Sequence, residues 1–547
     1  MGSQLINIYR NKIKKEWKIA FAATFVIGML VHIYRFTNDL PNHDALFNFY
    51  SSQNMVGSGR WFLSIACGFS SYFSLPWVIG LFSVIFIAIT AVIVTDIFEM
   101  KNPVLIVLSC GLIASFPAIT ETFFFEFTAD GYMLAMLFAA LSVLLTKMGT
   151  TKRRGICAAV SAACICLACA IYQAYLSFAL VLALGYFIYE LLEDRFGKKD
   201  YRQWIIKQIV VYVIALVAYL VIWKICLVAE GYTVSTYEGI SNLGNINIHT
   251  INDAIYQSIQ SFGLFFLEWN ILEHGLTVYN VLNCLFLIAA VITVIWAIGK
   301  SGIYKKPGKL ILLLLCGIAI PFAVFIWYFP SGATTAYYTR MEQSMCICYI
   351  LIAVICERWI KPKWRSVVAL ILAVIILNNG ITANKFYYYM NLTYEKTYAT
   401  VLEMQTRIHL LDDGTIKYIA FIGSTDGYDD DFYTDPSGAG SMGVLKSMND
   451  NLANSSIYII LFMSQYTDFE LTYYKLNEDA ELPEVMFTST DPVPNSWSFY
   501  FPVVDADTKA ELQESDEVSE MGVWPASDSV QVIGDTIVIK LSDVEDD

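Results

Sequence analysis

Apolar runs long enough to cross a bilayer recur along the first 385 positions of this chain. In hydrocarbon every backbone N–H and C=O must find its partner inside the protein, so a run of that length folds as a helix. Such runs dictate the architecture before any other feature does. The rest of the composition agrees: 56% of the 547 residues are hydrophobic and 15% are charged, against about 25% charged in ordinary soluble chains. The expectation is an α-helical polytopic membrane protein.

Eleven spans are predicted, near 18–36, 76–97, 103–119, 129–146, 155–171, 173–192, 205–228, 276–298, 309–329, 341–357 and 366–384. The fifth and sixth would be joined by a very tight turn at Tyr172. The first follows "RNKIKKEWK" without a small-residue cleavage site, so it is expected to be a retained span rather than a signal peptide.

Sidedness follows from Lys and Arg, which concentrate in cytoplasmic loops. With the N-terminus in the cytoplasm, the arm before the first span, Lys101, "KMGTTKRRG", "RFGKKDYRQWIIK", "KSGIYKKPGK" and "RWIKPKWR" all fall on that side and hold 23 of the 35 cations. The opposite loops of the membrane region hold only Arg35, Arg60, Arg340, Lys385 and Lys396, and 229–275 has no Lys or Arg at all. An odd number of spans puts the C-terminal tail outside. The expected location is a membrane that the chain crosses many times.

Two domains are expected, a transmembrane domain over 1–394 and an extracytoplasmic domain over 395–547. From 399 onward 29 acids face 6 bases, a balance of −23 within a whole-chain charge of −14, so the remainder carries +9. An acidic, soluble tail on this scale argues against nucleic-acid binding. All twelve cysteines lie between Cys67 and Cys356, mostly inside apolar runs, so no disulfide framework is expected. "CICLAC" (Cys164, Cys166, Cys169) has no nearby His or carboxylate and is expected to be packing rather than a metal cluster.

The outer loops hold the candidate chemistry. The first, "LPNHDALFNFYSSQNMVGSGRWFLS", carries Asp39, His43, Asp44 and Arg60. "ALFNFYSSQNM" and "RWFLSIACGFSSYF" can lie as amphipathic helices in the membrane interface, where Trp61, Phe62, Phe69, Tyr72 and Phe73 suit the depth. The second loop, "TETFFFEFTADG", carries Glu121, Glu126 and Asp130. Asp130 opens a span and is either a helix cap or a site residue, whereas Glu121 and Glu126 could equally be solvated. Arg60 and Arg340 could each clamp a phosphate bidentately, or instead contact headgroups or an outer carboxylate. "NDAIYQSIQSFGLFFLEWN" has the apolar spacing of a further interfacial helix. A carboxylate can accept a proton from a hydroxyl nucleophile, and an Arg can stabilise charge developing on a leaving phosphate. No phosphate-cradling Gly-rich loop is present, as expected if the donor is a lipid-linked sugar rather than a nucleotide.

In the tail, 395–410 is predicted as a helix leaving the membrane. "IKYIAFIG" and "SIYIILFM" are predicted as buried strands, "TKAELQESDEVSEM" as a helix and "SVQVIGDTIVIKL" as a hairpin turning at Gly534 and Asp535. The result is a small α/β domain. "DGYDDDFYTDPSG" is acidic and is expected to be a solvated loop rather than a calcium site, because it lacks the EF-hand pattern.

Taken in order, "NHDALFNFYSSQNMVGSGRWFLSIACGFSSYFSLPWVIGLFS", "FPAITETFFFEFTADGYMLAMLFAALSVLL" and "CLACAIYQAYLSFALVLAL" resemble the bacterial polytopic glucosyltransferases related to the serotype-converting O-antigen glucosyltransferases, of the GT-C superfold. "KYIAFIGS" and "VWPASDSVQVIGDTIVIKLSD" are similar to the tail of Gram-positive members. The resemblance implies a GT-C-like fold and transfer of glucose from polyprenyl-phosphate-glucose to a cell-surface glycan on the outer face, with inversion by direct displacement. It maps a catalytic acid onto Asp44 and raises the weight on Asp130 and Arg60. Many relatives carry paired acids where this chain has His43 before Asp44, so Asp44 acts alone, with Asp39 or with Asp130. Arg340 fits a phosphate-binding role by position. Glu121 joins Asp39, His43, Arg60 and Arg340 as a candidate substrate contact. No cofactor is required by the spacing, although clustered carboxylates could hold a divalent metal. Expected partners are the lipid-linked donor, the glycan acceptor, membrane lipids, and a donor synthase and flippase of the same pathway. The competing readings are a GT-C transferase for another lipid-linked sugar and a flippase or transporter of such lipids. A transporter would place charges mid-membrane, whereas here they gather at span ends.

Overall fold

The computed structural model describes residues 13–42, 44–47, 53–68, 75–148, 154–195, 197–235, 242, 244, 246–267, 277–335, 337–412, 416, 418–423, 452–467, 473–474, 498–499, 504 and 506–543. The chain divides into two compact units. The first comprises residues up to Asn38, Gln53–Ser70 and Leu75–Lys385; the second comprises Asp39–Ser52, Ser71–Ser74 and Phe386–Asp547.

The first unit is helical: α1 (Lys15–Thr37), a short α2 (Leu63–Ala66), α3 (Pro76–Ile97), α4 (Pro103–Ser115), α5 (Pro117–Thr122), α6 (Glu126–Met148), α7 (Arg154–Ile171), α8 (Tyr175–Leu192), α9 (Lys198–Glu230), α10 (Ile248–Leu267), α11 (Val278–Ser301), α12 (Pro307–Val324) and α13 (Met345–Trp359). Helix α14 (Pro362–Leu411) contributes to this unit as far as Lys385 and to the second unit from Phe386. Each predicted span overlaps a helix, but 103–119 runs across the break at Phe116 into α5, 309–329 runs past the end of α12, and 341–357 meets only the 15 residues of α13. Among the described residues, eight helical stretches are long and apolar enough to cross a membrane, Pro103–Met148 being treated as one; α7 is shorter.

Helix boundaries follow local chemistry. Proline opens α3, α4, α5 and α12, where its missing N–H costs nothing. Asn102 caps α4 by accepting the Val104 and Leu105 N–H groups. Gly231 and Gly302, both left-handed, end α9 and α11. Tyr172 donates its N–H to Ala168 O, and α8 begins three residues later, so α7 and α8 are joined by the tight turn predicted there.

Burial separates inner from outer helices. In α8, 89% of the apolar window is buried, whereas in α9 only 22% is, with Val213, Val217, Val221 and Val228 exposed. A large exposed apolar face has no place in water but suits hydrocarbon.

Ion pairs tie together the segments that the charge pattern assigns to one side. Lys14 bonds Asp96 at 2.6 Å, Lys101 bonds Glu16 at 2.9 Å, and Lys147 and Arg195 reach Glu99 at 3.2 and 3.0 Å. Lys306 and Lys309 both bond Asp194, and their hydrogen bonds hold its carboxyl below the usual carboxylate range. Each exposed pair contributes little energy, but the set joins the start of α1, the segment after α3, the last turn of α6, the segment after α8 and the start of α12.

The second unit contains the C-terminal part of α14, β1 (Tyr418–Ile422), α15 (Leu452–Tyr466), β2 (Tyr473–Tyr474), β3 (Ser498–Phe499), α16 (Ala506–Gln513), α17 (Asp516–Glu520), β4 (Val530–Ile533) and β5 (Thr536–Lys540). The main sheet has the order β1-β5-β4; β1 and β5 are parallel, and β4 and β5 form the predicted antiparallel hairpin around Gly534. Val401, Met404 and Ile408 of α14 join Phe421, Ile459–Met463, Trp524 and Ile539 in one core.

Two expectations for this unit are corrected. "SIYIILFM" is part of helix α15, not a strand. Ile459 to Met463 are completely buried, so the run is apolar all round and carries no period to tell helix from strand. The single helix expected over "TKAELQESDEVSEM" is broken into α16 and α17, because the Ser515 hydroxyl accepts the Val518 N–H and starts a new helix. The acidic stretch "DGYDDDFYTDPSG" lies outside the described residues.

Candidate active site

The segment between α4 and α6 is not a loop open to water. Phe116 turns the chain, Pro117 starts α5, and Phe123–Phe125 form a 3-10 turn leading directly into α6. Glu121, Glu126 and Asp130 are 4%, 2% and 0% exposed, so the solvated alternative for Glu121 and Glu126 is excluded. Three consecutive phenylalanines cannot face water together, and folding them inward carries the neighbouring carboxylates with them.

Each buried acid then needs compensation. Glu121 meets Arg340, which stands on the 3-10 turn Thr339–Met341. Arg340 Nη1 donates to Glu121 Oε1 at 2.9 Å, and the Arg340 backbone N–H donates to Oε2 at 2.8 Å. The guanidinium also lies 4.6 Å from the Phe125 ring centre and 4.2 Å from that of Tyr338. Of the roles open to Arg340, pairing with a carboxylate is therefore observed. Glu126 meets Arg35 at 2.5 Å, with both side chains 2% exposed. Arg35 further donates from Nε to Phe123 O and from Nη1 to Asn38 O, each at 3.0 Å. Arg35 was not among the predicted site residues; the only available signal was a lone cation ending an apolar run.

Asp130 is not a helix cap. Helix α6 starts four residues earlier, and Asp130 Oδ1 accepts the N–H of Gly131 at 2.9 Å. Gly131 is needed here because a Cβ would come within 2.5 Å of Cys67 Sγ.

Arg60 donates to the Tyr132 hydroxyl at 3.2 Å and lies 4.7 Å above the Tyr172 ring. Tyr132 and Tyr172 are themselves stacked at 4.6 Å. The segment bearing Arg60 is not a long interfacial helix. Among its described residues it forms a 3-10 turn, Val56–Ser58, and the short α2. The Phe62 N–H donates to Ala170 O of α7, the Trp223 indole donates to Val56 O, and Leu63 is fully buried, so the segment is docked on helices rather than floating in the interface. Gly59 has φ +82°, and Tyr219 and Gln173 fill the space a side chain would need. Phe69, Tyr72 and Phe73 lie outside the described residues.

Asp39 and Asp44 belong to the second unit. Asp39 is exposed and its Oδ2 accepts the Tyr466 hydroxyl of α15 at 3.0 Å. Asp44 is half-buried and opens the 3-10 turn Asp44–Phe47. That turn is fixed from both sides: Asn42 Oδ1 accepts the Ala45 N–H at 2.9 Å, and Gln465 Nε2 donates to Leu46 O at 2.5 Å. Leu46 is fully buried in the same core as α15. His43 lies outside the described residues. Among the described residues no three His, Cys, Asp or Glu are grouped as a metal ion would need.

Thus the structure brings Glu121 and Arg340 together, sets Arg60 on Tyr132 two residues from Asp130, and holds Asp39 and the Asp44 turn through α15. These features define a polytopic helical membrane protein with buried acids and arginines at helix ends. The chain belongs to a known family of that class: the family model for "Glucosyl transferase GtrII" matches residues 33–341, more than half of its length. It is therefore a glycosyltransferase of glucose, as the resemblance of its loop segments implied. A comparison with curated proteins finds no significant match.

Proposed function

We propose that the protein transfers glucose from polyprenyl-phosphate-glucose to a cell-surface glycan on the outer face of the bacterial cytoplasmic membrane, within a GT-C-like fold. The observation that carries this reading is the family match, whose span covers every candidate acid and arginine from Arg35 to Arg340. The N-terminus is cytoplasmic and the acidic C-terminal domain is extracytoplasmic in this proposal. A synthase and a flippase of the same pathway would supply the donor.

The reaction is one displacement. The acceptor hydroxyl oxygen attacks the anomeric carbon, the bond from that carbon to the phosphate oxygen breaks, and the configuration inverts. Asp44 takes the hydroxyl proton, assisted by Asp39 or Asp130. Polyprenyl phosphate departs with its new negative charge stabilised by Arg60 or Arg340. Arg340 is already oriented by Glu121 and two rings, which reduces the reorganisation needed when a phosphate arrives. Glu121 and His43 are retained as substrate contacts, and no step requires a metal.

The test is transfer of radiolabel from polyprenyl-phosphate-[14C]glucose to the host's envelope glycan by purified protein. Transfer by wild type and its loss by about 100-fold or more in Asp44→Asn, with donor binding intact, supports the reading. Full activity in Asp44→Asn moves the base to Asp130 or Asp39. Donor movement across liposomes without transfer to any acceptor would overturn it.

A further inference from the structure

The chain between the Arg340 turn and α13 reads Glu342-Gln343-Ser344. All three residues are buried, at 6%, 2% and 0% exposure. Among the described residues, Glu342 Oε2, Gln343 Oε1 and Nε2, and Ser344 Oγ have no hydrogen-bond partner. Ser344 even occupies the N-cap of α13 without using its hydroxyl to cap. A buried polar atom left unsatisfied is costly, and four from consecutive residues are not explained by the needs of the fold.

The surroundings of Glu342 indicate what it would bind. It is close enough to Glu121, Tyr279, Tyr328 and Tyr337 for their charges to be felt between them. The Tyr328 hydroxyl is bonded to Ser261 Oγ at 3.1 Å, and the Tyr337 hydroxyl accepts the Trp327 N–H at 2.8 Å. Among the described residues, the cation nearest in sequence, Arg340, is bonded to Glu121. A second anion beside Glu342 would be repelled. A neutral ligand rich in hydroxyl donors would satisfy a carboxylate, and aromatic faces suit a pyranose ring.

We propose that Glu342 binds a hydroxyl group of the glucose being transferred and so selects the sugar. This rests on the transferase reading above and adds to it a specificity-determining residue. The Glu342 carboxyl group shares one or two hydrogen bonds with sugar hydroxyls. The neighbouring Glu121–Arg340 pair keeps the positive charge away from Glu342 and toward the phosphate.

The experiment uses the full-length protein with a set of polyprenyl-phosphate donors carrying glucose or its 2-, 3-, 4- or 6-deoxy derivative. Wild type should discriminate against at least one deoxy donor by tenfold or more in kcat/KM. In Glu342→Gln, kcat/KM for glucose should fall at least tenfold and that one deoxy penalty should shrink toward unity. Binding of sugar-free polyprenyl phosphate should not change. Glu342→Asp, which withdraws the carboxylate by one carbon, gives the same comparison should Glu342→Gln fail to fold. Identical deoxy penalties in wild type and variant would overturn the assignment while leaving the transferase reading intact. No transfer by wild type from any lipid-linked sugar would instead overturn the reading on which it rests.

Discussion

At the scale of residues, the pair Arg35–Glu126 shows how charge is kept inside an apolar helix assembly. Both partners are 2% exposed and 2.5 Å apart, with two backbone carbonyls taking further Arg35 protons. Removing one partner of such a pair leaves the other buried and uncompensated, which costs about 3–5 kcal/mol, whereas replacing both with apolar residues of similar size costs far less. Arg35→Met is therefore expected to lower the unfolding midpoint in detergent strongly, and Arg35→Met with Glu126→Leu to recover most of the loss. Additive losses in the double variant would show that the two side chains do not depend on one another. The same reasoning separates Glu342 from Glu121: one buried acid has its cation, and the other has polar atoms that the fold leaves unused.

At the scale of elements, α15 matters most. Its run "SIYIILFM" reads as a strand in a tail where nothing looks catalytic, yet the helix bonds the segment that carries Asp39 and Asp44. Tyr466 reaches Asp39, Gln465 reaches Leu46 O, and Leu46 is sealed into the core beneath. Tyr466→Phe removes one hydroxyl and keeps the ring, a loss of about 1 kcal/mol. Faster hydrogen exchange at the amides of residues 39–47 is expected, together with reduced kcat and little change in donor KM. Unchanged exchange in this segment would mean that α15 does not hold it.

At the scale of the whole molecule, the alternation of cation-rich and cation-poor segments carries a prediction about orientation. Lys305 and Thr334 are exposed and flank α12 on opposite sides. In intact cells, Thr334→Cys should react with a membrane-impermeant maleimide, and Lys305→Cys should react only after permeabilisation. The reverse pattern would invert the proposed topology and remove the acids from the outer face.

The sequence alone determined that the membrane region is helical, because hydrocarbon admits only backbone that satisfies its own hydrogen bonds and long apolar runs leave no other regular structure. It also determined the β4–β5 hairpin, where Gly534 and Asp535 interrupt two runs rich in β-branched residues, and the family, carried by short motifs in a fixed order. What only the tertiary structure decided was how the polar residues are used. A carboxylate in a connecting segment has the same local signature whether it faces water, an arginine or a substrate. Burial of Phe123–Phe125 drew Glu121 and Glu126 inside, Arg340 came to Glu121 from 219 positions away, and α15, apolar on all sides, had no period that could reveal it as a helix. Membrane helices are set by their solvent and can be read one at a time, whereas the partners of a buried charge are chosen by long-range packing, which no local stretch of sequence contains.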